Sequence, residues 1–272
     1  MTNWLKDKYV VLSGASGGIG RELCKIFVQK YGAKVIGIGR NEEKMRSLQA
    51  ELGENFSYSL FDVSVQNNWS NFAQWLCERE ISPCLLVNNA GAFPTFARSM
   101  KSGAATAERI IQNNYLSAVY AIDSLAPYIK GEGKHKPAIV NVASSAALCT
   151  VAGTGAYSAS KSALKSYTEA LQLEEKGRFY IGLIAPGTTA TELFREDENT
   201  KNSALDKIAM PANKMAKKIA RKILKKRRRA VLGWDAKLMG FTARLLPVKG
   251  LFLIRGVMKA SKSKVFKEVY KK

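Results

Sequence analysis

Tyr9-Val10-Val11-Leu12-Ser13-Gly14-Ala15-Ser16-Gly17-Gly18-Ile19-Gly20 is the stretch that decides how this 272-residue chain folds. The run Tyr9–Ser13, rich in β-branched and aromatic residues, reads as a buried strand. Glycines spaced G-x-x-x-G-x-G come next, and a 3.6-residue apolar period follows over Gly18–Tyr31, the mark of a helix. Strand, tight loop and helix in that order open a βαβ unit. Gly14 permits the turn, Gly18 lets a ligand approach the backbone, and Gly20 lets the helix pack close to the strand. The helix N-terminus presents unpaired N–H groups. The loop, with Gly17 and Ile19 inside it and the Ser16 hydroxyl as a further donor, is therefore a candidate cradle for a pyrophosphate.

Six further apolar runs repeat the pattern: Lys34–Gly39, Phe56–Phe61, Cys84–Asn88, Ala138–Val142, Tyr180–Ala185 and Arg229–Gly233. Helical periods separate them, as over Asn67–Glu78. Alternation of this kind predicts an α/β fold: a doubly wound, seven-stranded, mostly parallel sheet with helices on both faces. Residues 1–233 then form one unit, and 234–272 a basic amphipathic helical extension. Ligands of such sheets bind beyond the carboxyl ends of the strands, where the strand order switches.

Composition narrows the function. With 46% hydrophobic residues the chain can bury one sizeable core. Cys24, Cys77, Cys84 and Cys149 form no CxxC pair and lie in apolar surroundings, which predicts buried thiols in a reducing cytosol. His135 is the lone histidine, so a histidine triad or a metal site is not expected. The N-terminus has no apolar signal region, and no apolar run is long enough to span a bilayer. A cytoplasmic location, peripheral on a membrane at most, is the expectation. The formal charge of +21 is uneven: residues 201–272 carry 22 basic residues against Asp206, Asp235 and Glu268. Nucleic-acid binding is a rival reading of that charge, but no recognition motif accompanies it.

Three more motifs sit just past the ends of runs: Asn88-Asn89-Ala90-Gly91, Tyr157-Ser158-Ala159-Ser160-Lys161 and Pro186-Gly187. With the glycine loop, in this order over about residues 5–233, they resemble the short-chain dehydrogenase/reductase (SDR) family of the classical type, whose fold is Rossmann-like. Tyr157 and Lys161 are four residues apart on a predicted helix, so they share a face. A phenol is a poor acid-base catalyst at neutral pH, and a nearby ammonium is expected to lower its pKa. The resemblance implies that Ser144, 13 residues before Tyr157, is the catalytic serine rather than Ser145. It also implies that Asn114 rather than Asn113 is the asparagine that keeps a water near the lysine. Asn89, Ala90, Gly91, Pro186, Gly187, Thr189 and Thr191 would then line the cofactor site. Asp62 would contact the adenine amino group and Val63 would line its pocket; the plain alternative for Asp62 is a helix N-cap.

The second run ends in Gly39-Arg40, where an NAD site usually has a carboxylate for the ribose hydroxyl. Arginine suits a 2′-phosphate instead, so NADP(H) is favoured over NAD(H). The expected activity is NADPH-dependent reduction of a carbonyl, or the reverse, without a metal. The alternative is a non-catalytic nucleotide-binding or membrane-docking protein on the same fold.

Substrate-pocket candidates are mostly apolar: Phe93, Phe96, Met100, Leu148, Val151, Leu193 and Phe194. They predict a small hydrophobic substrate such as a lipid, steroid or fatty-chain ketone. Pro247 and Gly250 are expected to split the extension into two short helices. Its apolar residues interleave with Arg244, Lys249 and Arg255, which fits an anionic membrane surface, a lid or an oligomer contact. The resemblance implies a homo-oligomer, dimer or tetramer, through the long helices.

Overall fold

The structure, a computed structural model, describes residues 3–191, 208–260 and 266–270. β1 (Tyr9–Ser13), β2 (Lys34–Gly39), β3 (Phe56–Leu60), β4 (Pro83–Asn88), β5 (Ala138–Val142) and β6 (Tyr180–Pro186) lie in one sheet. β7 (Thr189–Ala190) and β8 (Met210–Pro211) form a separate parallel pair, while β9 (Arg229–Leu232) completes the main sheet. The sheet order is β3-β2-β1-β4-β5-β6-β9, and each neighbouring pair is parallel. All seven runs are strands. The chain starts in the middle, winds out to β3, then crosses back to β4 and continues to β9. The order therefore switches between β1 and β4, whose carboxyl ends carry the glycine loop and Asn89-Ala90-Gly91.

Both faces of the sheet are covered. On one face Val10, Leu12, Leu85 and Val140 pack against α1 (Gly18–Lys25), α2 (Glu42–Leu52) and the helix Ala212–Leu224, through Leu23, Leu48, Ile219 and Ile223. On the other, Val11, Ile38 and Leu86 meet α3 (Gln66–Glu78) and the helix Ser117–Leu125, through Trp69, Phe72 and Ile122. Adjacent residues such as Val10 and Val11 serve opposite faces, because strand side chains alternate. This is why the strands read as unbroken apolar runs.

The elements between and after these follow in chain order. α4 (Ser99–Ser102) and α5 (Ala104–Ile111) lead into a π-turn, Gln112–Leu116, and then α6 (Ser117–Leu125). α7 (Gly155–Glu174) follows β5, and α8 (Ala212–Leu224) precedes β9. The basic run Lys225–Arg229 connects α8 to β9, where Lys226 takes φ +48° and sets its ammonium 4.8 Å from the Trp4 ring. The extension is α9 (Trp234–Leu245), α10 (Lys249–Ala260) and a last turn α11 (Lys267–Tyr270).

Several local expectations need correction. The helix expected over Gly18–Tyr31 is α-helical to Lys25 and then opens into a π-turn, Ile26–Lys30. Asp62 does not cap α3, whose N-cap is Val65. Cys77 is exposed on α3 rather than buried, because its neighbours Ala73 and Leu76 take the inward face. Pro247 does break the extension, but Gly250 lies inside α10, where a methyl group on it would come within 2.9 Å of the Thr242 carbonyl of α9.

Candidate active site

A cavity of about 450 Å³ opens beyond the carboxyl ends of β1, β2, β4, β5 and β6. Its first wall is the glycine loop. Gly14 has φ +72°, and a methyl group there would come within 2.9 Å of the Ala90 Cα. A methyl on Gly20 would collide with the Gly14 carbonyl and the Asn89 amide. The loop is thus compressed between β4 and its own helix. Asn89 clamps it, donating from its side chain to the Ser13 and Gly14 carbonyls at 3.1 and 3.4 Å. Ser13 in turn accepts from the Asn89 and Ala90 N–H groups, both at 3.1 Å. No side chain caps α1, so its first N–H groups are left to the cavity lined by Gly17, Gly18 and Ile19.

The described lining carries three cations, Arg40, Lys44 and Lys161, and no carboxylate. An uncapped helix N-terminus, a glycine cradle and a lining with cations but no carboxylate fit an extended ligand with a pyrophosphate, of the dinucleotide kind. Arg40 stands at the far end of β2 with its side chain 71% exposed and pairs with Asp62 at 3.4 Å. Asp62 does not line the cavity. Its carboxylate accepts from the Ser64 N–H at 2.9 Å and the Ser64 hydroxyl at 2.7 Å. Burial alone would raise the Asp62 pKa, but these bonds and Arg40 hold it below the ordinary value. Val63 lines the pocket as expected.

Ser144, Tyr157 and Lys161 meet at the opposite end. Ser144 follows β5 and accepts from the Ala146 N–H at 3.2 Å, which fixes its rotamer. Tyr157 and Lys161 stand one turn apart on α7. Burial pushes the Tyr157 phenol up, and its hydrogen bond with Ser144 opposes that shift. Lys161 is 4% exposed and donates to the Val142 carbonyl at 3.1 Å. Burial pushes its ammonium down to about 8. The expected lowering of the phenol by Lys161 is not found: desolvation governs both groups. Gly91 makes room for the lysine: a methyl there would sit 3.3 Å from Nζ.

Asn114 lies behind this cluster, in the π-turn between α5 and α6. Its amide accepts from the Ala92 N–H at 2.6 Å and donates to the Ala92 carbonyl at 2.9 Å and Ser160 Oγ at 3.0 Å. Its side chain therefore pins the segment after Gly91, while Asn113 lines the cavity. Pro186, Gly187, Thr189 and Thr191 line the remaining side, and a methyl on Gly18 would come within 3.0 Å of Thr191.

Phe93, Phe96 and Val151 line the same cavity. The Phe93 ring stands 4.8 Å from Tyr157, edge to face. Met100 is fully exposed, and Leu148 packs against Gly240 of α9 rather than lining the cavity. Leu193 and Phe194 lie outside the described residues. Sequence reasoning missed Lys44, Met239, Met258 and Phe266 as lining residues, and Asp235 as an anchor. Asp235 is buried and accepts from the Thr188 N–H at 2.6 Å. Its signal was visible: it is the lone acid in the basic stretch 234–260. Phe266 reaches the site from far down the chain, with its ring 5.3 Å from Phe96.

A family model described as short chain dehydrogenase matches residues 8–202. A 3-ketodihydrosphingosine reductase of Bos taurus is 28% identical over 206 residues, spanning 72% of this chain and 61% of that one. An NADPH-dependent pterin aldehyde reductase of Arabidopsis thaliana is 27% identical over 187 residues, 68% of this chain and 76% of that one. Among solved structures, a short chain dehydrogenase of Shigella flexneri complexed with NADP gives a TM-score of 0.75 at 24% identity, covering 87% of this chain and 100% of that one. An enzyme of Burkholderia phymatum in complex with NAD gives 0.77 at 22% identity, covering 90% and 96%. The fold is the same throughout, and the bound cofactors of those two differ. With the sheet order, the glycine loop and the Ser144, Tyr157 and Lys161 cluster in place, the match over residues 8–202 makes this chain a member of the short-chain dehydrogenase family of oxidoreductases.

Proposed function

We propose that this protein reduces a carbonyl group to a secondary alcohol on an apolar substrate, with NADPH as its preferred cofactor. The observation that carries the reading is that Ser144, Tyr157 and buried Lys161, one turn along from the tyrosine, line the same cavity that begins at the glycine loop. The residues of the loop, with Arg40 and Val63 at one end and Asn89–Gly91, Pro186–Gly187, Thr189 and Thr191 at the other, would hold the dinucleotide. When bound, the nicotinamide supplies a hydride in reduction or takes one in oxidation.

The chain's own groups handle the proton. Ser144 and Tyr157 both line the cavity, and a substrate oxygen bound between their hydroxyls would meet donors where negative charge develops. The raised phenol stays protonated at neutral pH and can donate. Lys161 holds positive charge beside the phenol as its proton leaves, which offsets the forming phenolate. Phe93 packs on the tyrosine ring edge to face.

Arg40 supports NADP(H) over NAD(H): its pairing with Asp62 is surface-exposed and weak, so the guanidinium can turn to a phosphate. The absence of any lining carboxylate at that end of the described cavity supports the same choice. Phe93, Phe96, Val151, Met239, Met258 and Phe266 support an apolar substrate. Both relatives named above are reductases by name, one of a keto compound and one of an aldehyde, which supports the direction. In this reading residues 1–233 are the catalytic unit, and the extension walls the substrate end through Met239, Met258 and Phe266.

The test is NADPH oxidation across a panel of ketones and aldehydes, with Tyr157→Phe beside the wild type. Turnover should fall at least about a hundredfold in Tyr157→Phe while NADPH still binds. Full activity in Tyr157→Phe would contradict the assignment.

A further inference from the structure

Ten of the fifteen exposed large apolar side chains among the described residues lie between Trp234 and Val257. On α9 they form one stripe: Trp234, Leu238, Phe241 and Leu245, at spacings of four, three and four, are each more than half exposed. That spacing is a single helical face. On the adjoining α10, Phe252 and Val257 are also exposed, both 65%. Monomeric proteins seldom leave so contiguous an apolar surface bare.

The polar residues around this surface are nearly all basic. Lys237, Arg244, Lys249, Arg255 and Lys259 are exposed, and the one acid of the two helices, Asp235, is buried against Thr188. A second copy of the chain placed on this face would oppose five cations with five cations. An anionic bilayer has the complementary charge, and long basic side chains can keep their heads at the phosphates while the rings enter the apolar layer.

We propose that the α9–α10 hairpin lies in the surface of an anionic lipid bilayer and sets the mouth of the catalytic cavity against it. This rests on the catalytic reading above only for the meaning of the cavity, not for the docking. The inner sides of the same helices contribute Met239 and Met258 to the cavity lining, beside Phe266. Leu238 and Met239 are neighbours in sequence, one facing out and the other facing the cavity. A substrate with a long apolar chain would therefore pass from lipid to Phe93 and Tyr157 across a wall one helix thick.

The experiment uses the full chain, without cofactor or substrate, and vesicles of phosphatidylcholine alone or mixed with phosphatidylglycerol. Co-sedimentation should be strong on the mixed vesicles, weak on phosphatidylcholine, and reduced by salt, because the charge contribution is screened. Trp234 emission should shift to the blue on the mixed vesicles. Phe241→Glu with Phe252→Glu should cut vesicle binding at least about tenfold while leaving the thermal melt and NADPH binding unchanged. Equal binding to both vesicle types, wild-type binding by the double variant, or an oligomer that the double variant dissolves would each overturn the docking proposal. Loss of NADPH turnover in Tyr157→Phe bears on the enzyme alone, so the two readings fail separately.

Discussion

Lys161 is buried beside Tyr157 and its ammonium donates to the Val142 carbonyl, and burial carries its pKa down to about 8. A depressed lysine is fully charged below that value and loses its proton as the pH rises through it. The kcat/KM for reduction, which reports the unliganded enzyme, should therefore fall above about pH 8. A pH profile measured with NADPH checks this, and a flat profile from pH 7 to about 10 would contradict the role given to Lys161. Arg40 offers a second prediction at this scale. A charge-assisted bond to a phosphate contributes about 1.5–3 kcal/mol, so Arg40→Ala should raise the KM for NADPH roughly tenfold to a hundredfold. The KM for NADH should change little, and equal losses with both cofactors would remove Arg40 from the 2′-phosphate site. These residues were legible from the sequence, Lys161 once the four motifs stood in order and Arg40 from its place at the end of the second run. Their electrostatics were not, because desolvation depends on the segments that close over them.

The loop between β1 and α1 shows the same limit for an element. Its glycines were readable as a turn, a close approach and a packing point, and the compression against Ala90 and Asn89 agrees with that reading. Gly20→Ala should clash with the Gly14 carbonyl, cost about 1–3 kcal/mol and weaken cofactor binding. Gly256→Ala, on the open side of α10, meets nothing within 4 Å and should be neutral or stabilise by up to about 1 kcal/mol. Thermal melts of the two variants should move in opposite directions or differ by several degrees. The π-turns at Ile26–Lys30 and Gln112–Leu116 were not readable. An apolar period tolerates one inserted residue, and only the packing of Asn114 against Ala92 and Ser160 shows why the second bulge is there.

At the scale of the molecule, the extension is joined to the catalytic end through Asp235, which takes the Thr188 N–H beneath Gly187. Asp235→Ala should leave that N–H unpaired, lower the melting temperature and raise the KM for NADPH, whereas Asp235→Asn, which keeps an acceptor of the same shape, should stay near wild type. Melting curves and cofactor titrations of the pair separate the lost bond from a lost charge. What the chain determined by itself was the sheet, its seven strands, the glycine loop and the Tyr157–Lys161 pair, because period-2 burial, turn chemistry and helical spacing are local properties. Folding alone decided that Asp62 is turned to Ser64 and Arg40 rather than the cavity, that Met100 points to solvent, and that Phe266 closes on Phe96. Those outcomes depend on which distant segments compete for the same space, and no pattern along the chain encodes that competition.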